Sequence, residues 1–62
     1  MMTKAEIKEV ATKIVNGMSA EAKTHFAAGN VPVAVSLAIL EGSETVDDMN
    51  DTMAEIEALL SF

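Results

Sequence analysis

The chain has no cysteine, tryptophan or tyrosine, only one proline, and only four basic residues, all lysine. Each shortage excludes something. Without cysteine there is no disulfide framework, no thiolate metal site and no thiol nucleophile. Its absence also agrees with a reducing, cytoplasmic compartment. With Pro32 as the single proline and glycine only at 17, 29 and 42, breakers are few and widely spaced. No apolar run approaches the roughly 18 residues of a membrane span. The longest, Val31 to Leu40, is internal and covers ten positions. Met1-Met2-Thr3-Lys4-Ala5-Glu6 has no apolar signal segment, so no cleaved signal peptide is expected. No glycine follows the first methionine, so myristoylation is not expected either. So few cations leave little for a phosphate backbone to bind, and direct nucleic-acid binding is not expected.

What is present is a chain of 62 residues, half of them apolar, with a formal net charge of −6. That length makes one domain, residues 1–62. The apolar half excludes a disordered acidic tail. Alanine supplies ten of its residues and methionine five. Both favour helix over strand, so the expected class is all-α.

Four short helices account for the pattern. Thr3-Lys4-Ala5-Glu6 is a capping box. Behind it Ile7, Val10, Ala11, Ile14 and Met18 recur at helical spacing, with Asn16-Gly17 as the stop, which gives a helix at about 4–16. Glu9 and Lys13 have the favourable order for an i,i+4 pair. Ser19 caps a second helix at about 20–28, stopped by Gly29-Asn30. It carries one large apolar side chain, Phe26, and needs that residue docked elsewhere. Val31 to Glu41 alternates valines at 31, 33 and 35, as a buried strand would. It also has Pro32 in a first-turn position, Asn30 as a cap and Gly42 as a stop, and a lone strand would lack a partner. A helix at about 31–41 is therefore expected. It is apolar nearly all round, so it should be central and buried, with the first and last helices laid against it. Ser43 is expected to cap a last helix at about 44–61. Val46, Met49, Met53, Ile56 and Leu60 step by three and four along it, a short seam for packing or oligomerisation that Phe62 extends.

The charge is divided. Lys4, Lys8, Lys13 and Lys23 all precede Val31. Beyond it lie seven acids and no base. On the last helix Glu44, Asp48, Asp51 and Glu55 fall in one line with Asp47 beside them, opposite the seam. Like charges at i,i+4 oppose each other, so the stripe does not help the helix. It reads either as a solvated face that aids solubility, or as an acidic docking face for a basic partner, or as a contact for the lysines of the first helix. In the second case association would be fast and salt-sensitive.

No constellation for catalysis emerges. His25 is the only imidazole, and Ser19, Ser36, Ser43 and Ser61 have capping, packing or terminal explanations. Read as a calcium loop from Asp48, the sixth position is Met53 and the twelfth Leu59, where glycine and glutamate are needed. Acyl carrier proteins carry their prosthetic group on an Asp-Ser-Leu motif at a helix start. Here Val35 precedes Ser36-Leu37 in mid-helix. A DNA-reading helix after Gly29 would offer only Ser36 and Glu41. No metal, cofactor or glycine-rich phosphate loop is expected. The expected function is a non-enzymatic protein-binding module. Its sharper form is an acidic inhibitor of a basic, nucleic-acid-handling partner, of the type encoded by phages and mobile elements. The alternative is an assembly subunit of an obligate oligomer or virion. The apolar fraction is large for so short a chain, so a homodimer through the last or first helix is expected.

Overall fold

Thr3 begins the first helix as its capping box requires. Its hydroxyl accepts from the Glu6 amide at 3.2 Å, and the Thr3 amide donates to the Glu6 carboxylate at 2.8 Å. The computed structural model describes residues 1–61 and contains α1 (Lys4–Gly17), α2 (Ala20–Ala27), α3 (Val33–Gly42) and α4 (Val46–Leu60). The described residues are all-helical or loop, as the composition implies.

The ends of the helices show which local rules operate. Ser19 caps α2 by accepting from the Ala22 amide. α2 ends in a Schellman motif: the Asn30 amide donates to the His25 carbonyl and the Gly29 amide to the Phe26 carbonyl. Gly29 supplies the left-handed residue, with φ of 88°. Gly17 does not act as such a stop. It lies inside α1, and the chain leaves through extended Met18, because Ser19 must at once begin the next cap. α3 starts at Val33 rather than 31. Its N-cap is Pro32, not Asn30, and no side chain caps it. α4 starts at Val46 rather than 44. Ser43 closes α3 instead, its hydroxyl donating to the Ile39 carbonyl at 2.6 Å. Thr45 takes the capping role, in a second capping box closed by Asp48.

The two longest helices, α1 and α4, form the main pair, and α3 and α2 pack against them. The core holds Ala11 of α1, Phe26 of α2, Val35 and Ile39 of α3, and Ile56 and Leu60 of α4. Each fully buried aliphatic side chain contributes roughly 1.5–3 kcal/mol. Phe26 docks there and ties short α2 to the rest. Gly42 lets α3 approach α1: a Cβ at that position would come within 2.8 Å of Val10 Cγ1. The radius of gyration is 10.6 Å.

The sequence led us to expect α3 central and buried, with α1 and α4 laid against it. Instead α3 lies on the outside of the α1–α4 pair. Val35 and Ile39 point inward, while Val33, Leu37 and Leu40 are exposed. Three short helices cannot surround a fourth. The buried helix face is set by which residues meet α1 and α4, and the remaining apolar residues stay in water.

Candidate binding surfaces

The acidic line on α4 does not survive as one face. Asp48 is only 1% exposed. Its Oδ1 accepts from the Met2 amide and its Oδ2 from the Thr45 amide, both at 3.2 Å. Burial pushes its carboxyl up. The hydrogen bonds from Met2 and Thr45, with the nearby N-terminal charge, outweigh that and hold it below the usual aspartate value. Asp48 is therefore a tether between the start of the chain and the start of α4. It is not a docking residue. Glu44 is exposed, and the Met1 ammonium donates to its Oε1 at 3.2 Å, which raises the amine above its ordinary value. Asp47 and Asp51 are exposed, and Glu55 is half-buried. Asp51 and Glu55 line one open groove of about 560 Å³ together with Lys4 and Lys8 of α1. Lysines thus share the surface that an acid-only stripe would need.

The apolar seam of α4 is rotated from its expected position. Ile56 and Leu60 are buried, and Met49 and Met53 are half-buried against the core. Val46 is 65% exposed and takes no part. The inward positions it was expected to share belong to Asp48 and Thr52, both fully buried. The Thr52 hydroxyl donates to the Asp48 carbonyl at 2.8 Å, so its polar group is satisfied within the helix. Phe62 lies outside the described residues. A signal for Asp48 was available in the sequence. Thr45-Val46-Asp47-Asp48 has the same spacing as Thr3-Lys4-Ala5-Glu6, and Ser43 concealed it by being an equally good cap residue. Nothing comparable marked Thr52.

The surface that stands out lies on α3. Val33, Leu37 and Leu40 are 75%, 51% and 57% exposed. They are spaced i, i+4, i+7, so they form one stripe opposite buried Val35 and Ile39. On another side of α3, Ala34 and Ala38 join Ile14, Met18, Ala22 and Pro32 around an open apolar groove of about 550 Å³. Ordinary surfaces carry single exposed aliphatics. A helix with large aliphatics on both its inner and its outer faces is a different matter.

Several polar side chains have local partners. His25 is exposed and lies 3.5 Å from Glu21, one turn earlier. Ser19 caps α2, and the hydroxyls of Ser43 and Ser61 donate to backbone carbonyls. Among the described residues no three His, Asp or Glu side chains are grouped so as to hold a metal ion, and no helix is long and apolar enough to cross a membrane. No protein-family model, curated protein or solved structure matches the chain.

Proposed function

We propose that the chain is a non-enzymatic protein-binding module, and that it binds through the outer face of α3 rather than through the acids of α4. One observation carries this reading: the exposed stripe Val33–Leu37–Leu40. Burying such a stripe on a partner is favourable, because it removes apolar surface from water that the fold itself leaves exposed. The local engagement of His25, Ser19, Ser43 and Ser61 supports a role without catalysis. A second reading keeps the acidic docking face for a basic partner, and exposed Glu44, Asp47 and Asp51 favour it. It has lost Asp48 to the interior, and Lys4 and Lys8 flank Asp51.

Capture from the source lysate, followed by binding measurements with the purified partner, separates the two. Leu37→Glu with Leu40→Glu should abolish binding while circular dichroism stays helical. Asp47→Lys with Asp51→Lys should leave it within a few-fold. The reverse pattern, with binding that weakens steeply as salt rises, would replace the first reading by the second.

A further inference from the structure

We propose that two copies of this chain associate through α3, packed antiparallel about a two-fold axis beside Leu37. The inference rests on the reading of α3 as the binding face and names its occupant. The stripe is nearly symmetric about its own middle. Val33 and Leu40 sit at its ends and Leu37 near its centre, so an antiparallel copy sets Val33 against Leu40 twice and Leu37 close to its counterpart. Two-fold contacts of this kind require such a self-complementary patch.

The charges of α3 select the same arrangement. Its N-terminus has no side-chain cap and no acid in the first turn. The amides of Val33 and Ala34 therefore point outward without a helical acceptor, at the positive end of the helix. Its C-terminus has no base in the last turn and carries Glu41, an acid at the negative end. Each end of α3 is thus mismatched in isolation. An antiparallel second copy brings Glu41 to the uncapped end of its neighbour and corrects both mismatches twice. A parallel copy would set Glu41 against Glu41. A basic foreign helix could satisfy Glu41 but would leave the α3 N-terminus facing positive charge. Glu41 is the only acid among the ten that belongs to α3. The self-repulsion of a chain of net charge −6 therefore resides largely on the other elements. Because α3 is about 15 Å long, the contact is at the small end of specific interfaces, and a dissociation constant in the micromolar range is expected.

The absence of native cysteine makes single-cysteine crosslinking a clean test. Leu37→Cys should form disulfide dimers with itself. Val33→Cys and Leu40→Cys should each crosslink poorly alone and several-fold better when mixed, and Val46→Cys should not crosslink. By sedimentation, Leu37→Glu should weaken association by about 50-fold or more. Glu41→Lys should weaken it about 3- to 10-fold while leaving the melting temperature unchanged or raised, because a base suits the end of α3 in the monomer. Added salt should leave the apolar contact in place and cost the wild-type dimer no more than the few-fold contribution of Glu41. Self-crosslinking of Val33→Cys equal to its crosslinking with Leu40→Cys would overturn the arrangement, as would a strict monomer at about 500 µM. If the chain is monomeric and the Leu37→Glu, Leu40→Glu variant still loses a captured partner, self-association fails and the α3 reading stands. If it is monomeric and capture is unaffected, both fail. Leu37 is half exposed, so its substitutions should leave the fold intact, and the mixed-cysteine result needs no charge-bearing variant.

Discussion

The molecule contains the same capping box twice, and the two copies do different things. Thr3 and Glu6 cap α1 in full exposure, and nothing outside the first turn contacts them by hydrogen bond. Thr45 and Asp48 cap α4, but here the carboxylate is buried and also accepts the amide of Met2, 46 positions away in the chain. One motif therefore serves as a local helix start and the other as a long-range tether. The difference lies in the shorter aspartate, which turns inward beneath the N-terminal segment, and in Thr52, which continues the buried polar line one turn later. A carboxylate held in this way adds specificity to where the segment before α1 packs, because an apolar residue could not accept the two amides.

The largest effect that separates the two boxes should come from Asp48→Ala. It leaves the part-buried Met2 and Thr45 amides without their acceptors and empties the place of a carboxylate that is itself almost fully buried. Thermal melts should show a loss on the order of 10 °C, against about 3 °C for Glu6→Ala. Asp48→Asn keeps one acceptor and should fall between. Equal losses for the two alanine variants would make the boxes equivalent and remove the tether.

Acid should expose the same contrast by titration. Hydrogen bonds from Thr3 lower the Glu6 carboxyl, and hydrogen bonds from Met2 and Thr45 lower that of Asp48 against its burial. Both are thus harder to protonate in the folded chain than in the unfolded one. Their stabilisation is fully present above the ordinary carboxylate range near about pH 4 and is lost as pH falls through the lower folded values. Melting temperature followed from pH 6 to pH 2.5 should drop in wild type. Asp48→Asn and Glu6→Gln should each flatten the drop, one by removing a buried carboxylate and the other an exposed one. An unchanged slope in Asp48→Asn would mean that the buried carboxylate does not titrate with folding.

This pair of boxes also shows what was legible in the sequence. Thr3–Glu6, Ser19 and the Gly29-Asn30 turn were readable because each acts within a few residues of itself. Thr45–Asp48 was equally local in pattern, and Ser43 two residues earlier masked it. The burial of Asp48 was not readable, because it depends on where Met2 arrives after the chain has folded. For the same reason the acidic stripe looked continuous: helical spacing places residues on a face, but only packing decides which face is inside. α3 failed in the opposite sense. Its apolar residues run all round, so periodicity points in no direction, and the α1–α4 pair leaves one side of it uncovered.

The threonines test the boxes without changing charge. Loss of a threonine cap costs about 1 kcal/mol. Thr3→Ala should come close to that figure in urea denaturation. Thr45→Ala should exceed it, since the hydroxyl accepts from the Asp48 amide and so positions the residue whose carboxylate has a second, distant partner. The double variant Thr45→Ala, Asp48→Ala should destabilise by clearly less than the sum of the singles, because the first change already disorders what the second removes. Additivity would mean that the cap and the tether are separate devices sharing a residue by chance.

The smallest expected effect fixes the scale of exposed electrostatics in this chain. Glu9 and Lys13 pair at 3.5 Å on the open surface of α1. Such a pair contributes a few tenths of a kcal/mol at low ionic strength, so Lys13→Met should cost about 0.3 kcal/mol or less. At 1 M salt the screening length falls to about 3 Å, and that cost should vanish. The penalty of Glu6→Gln should shrink alongside it, because its charge also acts on an exposed helix end. The penalty of Asp48→Asn should persist, because its hydrogen bonds lie out of reach of mobile ions. If salt erased the Asp48 penalty as well, the two boxes would differ only in sequence position, and the buried carboxylate would lose its claim to join the segment before α1 to the start of α4.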